Sequence, residues 1–318
     1  MPRAPTETQR AVILVAAFTM AARLASGAAA EDLAAREAAE RAALLESLPR
    51  DAAQRLFGRE ARPAAGPAEA IGNYSRGCLE GAVELPADGA NWEVMRPSRN
   101  RAWGHPALIG FLERLARRLP EFAGWPGLLV GDIAQPRGGP MPGGHESHQI
   151  GLDADIWLTP MPPRRLSAAE REEMSAESVV AGDGEDVDRA VWSPRHRRLL
   201  EAAARSPRVA RIFVNPAIKR ALCREAGNDR RWLNKIRPWW GHKTHFHLRL
   251  SCPSGDRLCR NQLPPPRGDG CGGQLAWWFT PAGRRPPAGP PRKPVRLADL
   301  PHACAALVGG SRIYHPGP

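Results

Sequence analysis

Residues 143–157 read GGHESHQIGLDADIW: two histidines, a glutamate and two aspartates fall within eleven positions, followed at once by isoleucine and tryptophan. An ordinary core strand or helix does not gather so many ionisable groups beside apolar ones, because a buried charge is costly unless it is paired or bound to metal. Any fold of this chain must therefore bring compensating groups to this stretch. LDADIWL (152–158) alternates with period two, which predicts a strand carrying Asp153, Asp155 and Trp157 on one face.

A second cluster stands at WWGHKTHFHLRL, residues 239–250. THFHLRL alternates in the same way, with His245, His247 and Arg249 on one face and Phe246, Leu248 and Leu250 on the other. His242 lies three residues before His245, in the approach to that strand. One histidine alone is more often a core residue bonded to backbone. Three in six residues, in a chain with nine histidines, point to shared chemistry.

The two clusters complete each other. A catalytic zinc takes three protein ligands and keeps a fourth position open, whereas structural zinc is usually closed by cysteines. Here the donors are histidine and aspartate, and every cysteine lies elsewhere. A tight loop ending at Gly151 and then a strand can bring His148 and Asp155 to one point, with His247 from the other strand completing the set. His242 and His245 are left as the base and the stabiliser of a developing oxyanion.

The rest of the 318-residue chain sets the context. Residues 1–30 have a basic start, an apolar run over 11–22 and small residues at Ala28 and Ala30, the order of a secretory signal. That run is too short to span a membrane, so no transmembrane anchor is expected. Residues 31–66 form a helical, solvated extension broken at Pro49, residues 67–283 the main domain, and residues 284–318 a Pro/Arg-rich linker and tail. In the main domain, 105–119 and 193–205 read as helices, the latter capped by Ser193, and 127–134, 152–158, 209–218 and 244–250 as strands. Mixed helices and strands without strict alternation, with 33 prolines and 31 glycines, predict an α+β fold: a small antiparallel sheet, flanking helices and long loops. Six cysteines in an exported chain allow three disulfides and fifteen pairings, with Cys252 and Cys259 close enough for a local loop. The net charge of +12 calls for an acidic partner, and export argues against nucleic acid.

At these residues the sequence resembles zinc peptidases that join lysostaphin-type enzymes to D-Ala-D-Ala metallopeptidases. GGHESHQIGLDADIW, RIFVNPAIKRALC, RPWWGHKTHFHLRLSCP, GNYSRGC and PPPRGDGCG are similar to the penicillin-insensitive murein endopeptidases. The resemblance covers roughly residues 68–281 and the Cys304 end. It implies zinc on His148, Asp155 and His247, with His245 as catalytic base, His242 as a further active-site histidine and His145 near the metal. It also implies the pairs Cys78–Cys304, Cys223–Cys271 and Cys252–Cys259. Asp153 orients a ligand histidine or caps the loop. Asp183, in the acidic run 182–188, stands where some members hold a peripheral metal, but Asp186 replaces an expected histidine, and a solvated loop is the simpler reading.

The expected function is periplasmic, β-lactam-insensitive hydrolysis of peptidoglycan cross-links at the D-alanyl-meso-diaminopimelyl bond, with cross-linked muropeptides as partner. The rivals are a D,D-carboxypeptidase or dipeptidase acting on uncrosslinked stems, and a non-catalytic wall-binding module. Trp239 and Trp240 line a stem-peptide groove or belong to the core. Oligomeric state stays open, a dimer included.

Overall fold

The computed structural model describes residues 31–143, 145–287 and 293–308. The secretory signal expected over 1–30 falls outside the described residues. In chain order the strands are β1 (Glu69–Asn73), β2 (Arg76–Glu80), β3 (Val83–Glu84), β4 (Asp88–Gly89), β5 (Trp92–Val94), β6 (Trp103–Gly104), β7 (Leu128–Val130), β8 (Asp153–Trp157), β9 (Val209–Val214), β10 (Ile236–Pro238) and β11 (His245–Leu250). The helices that matter are α1 (31–47), α2 (Ala53–Gly58), α3 (Pro106–Ala123), α4 (Ala168–Glu173), α5 (Pro194–Arg205) and α6 (Pro216–Glu225).

The α+β class is present. Seven strands form one sheet in the order β10-β9-β11-β8-β7-β5-β4, and β1–β2 and β3–β6 make two small antiparallel ribbons. The expected antiparallel sheet is the centre of this larger one, since β9–β11, β11–β8 and β8–β7 run antiparallel. Parallel pairs flank that centre, at β10–β9 and β5–β7, and the antiparallel pair β5–β4 closes one edge, which makes the sheet mixed.

One face of the sheet makes the core. Ala154, Ile156, Phe246, Leu248, Ile212 and Val214 are fully buried in one cluster with Leu108 and Leu112 of α3 and Leu199 and Leu200 of α5. Helix α3 starts where His105 accepts from the Ala107 amide, has Pro106 in its first position, and ends at Gly124 in the left-handed region. The expected strand 209–218 stops at Val214, because Asn215 caps α6 by accepting from the Ala217 amide and Pro216 opens that helix. The expected strand 127–134 shrinks to β7, and the chain beyond it turns into the site.

The N-terminal extension is exposed along most of α1 and packs on the domain at its C-terminal end. Phe57 is fully buried with Cys78, Ile71 and Cys304, and Leu45 is buried on α1. The basic tail wraps the surface and meets the extension: Ala53 N donates to Val295 O (2.7 Å) and Leu297 N to Asp51 O (3.0 Å). Three disulfides staple the fold, Cys78–Cys304, Cys223–Cys271 and Cys252–Cys259. Among the described residues no helix is long and apolar enough to cross a membrane.

Candidate metal centre

The face of the sheet opposite the core carries the polar residues. Strands β8 and β11 pair in a register that sets His245 across from Trp157, His247 across from Asp155 and Arg249 across from Asp153. The loop before β8 supplies the histidines. Gly151 sits at φ +66°, and a Cβ there would meet the His105 amide nitrogen at 2.8 Å, so the approach to β8 requires glycine. His148 is itself left-handed, at φ +66°, an unfavourable conformation for its residue type that the surrounding bonds hold in place.

Three donor atoms converge. His148 Nε2 lies 3.1 Å from His247 Nδ1 and 3.4 Å from Asp155 Oδ1, and His247 Nδ1 lies 3.3 Å from Asp155 Oδ1. Ligand atoms about 2.0–2.1 Å from a tetrahedral ion stand roughly 3.3–3.4 Å apart, so this triangle fits one. Asp155 Oδ1 is buried and accepts no hydrogen bond, an arrangement that costs free energy unless positive charge is nearby. Of the outer nitrogens, His148 Nδ1 is 2.6 Å from the Ile133 carbonyl, the partner a ligand histidine requires, and His247 Nε2 faces the Asp153 carboxylate at 3.0 Å as an ion-pair contact. His145 adds an overlapping donor, its Nδ1 3.5 Å from Asp155 Oδ2, and His145, His148 and Asp155 form a group able to hold a metal ion.

Asp153 touches both the loop and a histidine of the centre. Its Oδ2 accepts the His148 amide (3.1 Å), fixing the loop, while Oδ1 faces His247. Arg249 clamps both oxygens, Nε to Oδ1 at 2.7 Å and a terminal nitrogen to Oδ2 at 3.1 Å. Burial pushes the Asp153 carboxyl up, but the charges of Arg249 and His247 outweigh it and hold the group well below the usual range. The same contest, won by His148 and His145, holds Asp155 down. His247 is lowered by burial but raised more by Asp153, so its pKa rises.

His245 and His242 flank the triangle. His245 Nε2 is 3.8 Å from Asp155 Oδ2, and burial lowers its pKa. His242 Nδ1 is 2.8 Å from the Trp240 carbonyl, and burial together with the His245 charge lowers its pKa to about 4. Its neutral form therefore donates from Nδ1 to Trp240 and keeps a lone pair on Nε2. In that form it accepts hydrogen bonds and cannot donate one to an oxyanion. A cavity of about 460 Å³ opens over His242 and His247, walled by Phe213, Trp239 and Trp240. Trp239 is 45% exposed, which places it in the groove wall and not in the core.

The comparisons meet this geometry. The sequence model of the family described as penicillin-insensitive murein endopeptidase matches residues 70–309. The chain belongs to that family. It is 50% identical over 220 residues to the penicillin-insensitive murein endopeptidase of Haemophilus influenzae, which covers 68% of this chain and 75% of the relative. It is 44% identical over 247 residues to the protein of that name from Klebsiella pneumoniae strain 342, covering 78% and 88%. It is 44% identical over 246 residues to that of Yersinia enterocolitica, covering 77% and 87%. The protein is accordingly a murein endopeptidase, a peptidase acting on peptidoglycan.

Not every residue singled out in the sequence joins the centre of this murein endopeptidase. Asp183 stands outside the metal-capable group, and its Oδ1 accepts the Glu185 amide (2.9 Å). Asp186 pairs with Arg224 at 2.9 Å. Two residues went unnoticed. Asp132, just past β7, is 3.0 Å from His145 Nε2, and Arg101 donates to it at 2.8 Å. Burial raises the Asp132 pKa, but His145 and Arg101 lower it further. An aspartate in the apolar run GLLVGDIA was the available signal.

Proposed function

We propose that the centre binds zinc through His148, Asp155 and His247 and hydrolyses the D-alanyl-meso-diaminopimelyl cross-link in the periplasm. The triangle of His148 Nε2, Asp155 Oδ1 and His247 Nδ1, with edges of 3.1–3.4 Å and a second partner on each histidine, carries this reading. Bound there, zinc supplies Lewis acidity to a carbonyl oxygen and makes water acidic near neutral pH.

The chain's residues do the rest. His245, kept neutral by burial, accepts the proton of the attacking water and returns it to the leaving amine. His242 presents its Nε2 lone pair beside it and orients the water or a substrate N–H. Asp153 and the Ile133 carbonyl hold the two ligand rings in one orientation and one tautomer each. Trp239 and Phe213 shape the groove that holds the stem peptide. This route needs no acylated serine, the group that β-lactams trap.

The test uses the mature chain and cross-linked dimeric muropeptides, with products read by liquid chromatography and mass spectrometry. Monomers should form, persist with a β-lactam present, and vanish with chelator or in His247→Ala. Loss of a terminal D-alanine from monomers while dimers survive would replace this reading with a D,D-carboxypeptidase.

A further inference from the structure

The family match begins at residue 70, so α1 and α2 precede it, yet both are built into the rim of the centre. Arg41 of α1 donates to the Gly58 carbonyl at 2.5 Å and to the Arg99 carbonyl at 3.4 Å. Glu37 lies 2.6 Å from the Ser98 hydroxyl and 3.7 Å from the Arg99 guanidinium. Arg99 reaches Asp132 at 3.7 Å, and Asp132 holds His145 at 3.0 Å. Helix α1 is thus tied, group by group, to a histidine of the centre.

A cavity of about 360 Å³ lies between α1 and the segment 98–101 and reaches His145. Glu37, Glu40 and Asp132 supply three carboxylates to its wall, and Arg41, Arg99 and Arg101 three guanidiniums. Leu44, 41% exposed and abutting Gly143, forms the apolar edge. A space this small with both signs of charge fits neither an apolar group nor a simple anion. It fits a compact group bearing a carboxylate for the guanidiniums and an ammonium for the glutamates.

We propose that this cavity is a subsite for a zwitterionic amino-acid centre, the free ammonium and carboxylate at the outer end of a diamino acid in the wall peptide. The N-terminal helix is then part of the substrate-binding surface. This assignment rests on the murein-peptide reading of the centre. In such a peptide the diaminopimelate beside the scissile D-alanine keeps that free end unless its amine is itself cross-linked.

The experiment is titration calorimetry on the mature chain with two probes: the uncrosslinked tetrapeptide muropeptide, and the same molecule with the outer diaminopimelate carboxylate amidated. The wild type should bind the amidated probe at least tenfold more weakly. Leu44→Trp, which fills the cavity, and Glu40→Gln, a change at an exposed position, should each weaken binding of the free probe and narrow that ratio. Unchanged melting temperature and metal content confirm that the variants are folded. Binding of both probes within twofold by the wild type, binding of neither, or wild-type affinity for the free probe in both variants overturns the subsite. Dimer cleavage measured in parallel tests the peptidase reading separately, since the binding ratio decides the subsite whether or not cleavage occurs.

Discussion

Asp153→Asn isolates the residue on which the centre's order depends. Asp153 presents Oδ1 to Arg249 Nε and His247 Nε2, and Oδ2 to the second Arg249 nitrogen and the His148 amide. Asparagine has one acceptor and one donor end. With its amide at the Oδ1 position, a donor faces Arg249 Nε; at the Oδ2 position, a donor faces both Arg249 and the His148 amide. Either way a buried guanidinium loses its counter-charge, since Arg249 is only 6% exposed. Breaking a buried ion pair from one side costs about 3–5 kcal/mol. Contacts to Gln262 (2.8 Å) and the Tyr74 ring (4.1 Å) remain and place the expected loss at the lower end. Metal affinity should fall separately, by roughly 10–100-fold, because His247 loses the partner that orients its ring. Urea unfolding of the metal-free protein reads the first effect, and competition with a chromogenic chelator for zinc reads the second. A stability loss with metal affinity unchanged within threefold would reduce Asp153 to a partner of Arg249 and refute its role at the centre.

Other consequences follow from particular groups. His245→Ala should lower kcat on cross-linked dimers by roughly 10²–10⁴-fold while bound zinc, read by elemental analysis, is retained; loss of zinc with activity would make His245 a ligand. Replacing both Cys78 and Cys304 by alanine opens a loop of 226 residues, and the chain-entropy relation puts the destabilisation at up to about 5 kcal/mol, checked by denaturant midpoint. Lys219 is fully buried, its Nζ donating to the carbonyls of Leu233 (2.7 Å) and Asp269 (2.6 Å), and burial, aided by Arg237, lowers its pKa from 10.5 to about 7. The unfolded chain therefore holds that proton more tightly, so this group makes stability rise from pH 7 to 10.5, by a few kcal/mol in total. Lys219→Met should flatten that rise in melting curves taken across the window.

The centre was legible because its chemistry is rare and its geometry is periodic. Three histidines in six residues have few structural explanations, and period-two alternation alone sets Asp153 and Asp155 on one face and His245, His247 and Arg249 on another. The pairing of those faces, residue against residue, is what the sheet adds. Asp132 was hidden because its partners, Arg101 and His145, come from segments that approach only in the folded chain. The packing of the segment that follows α1 was hidden for a similar reason. The Ala, Glu, Arg and Leu pattern of α1 suits the largely exposed helix it forms, and only the basic tail, crossing at Asp51 and Ala53, shows what the next segment packs on. The parallel pairs β5–β7 and β9–β10 depend on crossovers through α3 and α6, which alternation along single strands does not encode.

The core and the centre are coupled through strand parity. Ala154, Ile156, Phe246 and Leu248 face α3 and α5, while their neighbours Asp153, Asp155, His247 and Arg249 face the opposite side. A slip of β11 by one residue against β8 would invert that strand, sending His247 and Arg249 under the helices and Phe246 and Leu248 to the polar face, away from Asp153 and Asp155. The apolar residues that touch no donor atom thereby hold the triangle in register. Changes that loosen that packing, such as Phe246→Ala, should widen the ligand triangle before they unfold the domain, and weakened zinc affinity in a folded variant is the measurement that would show it.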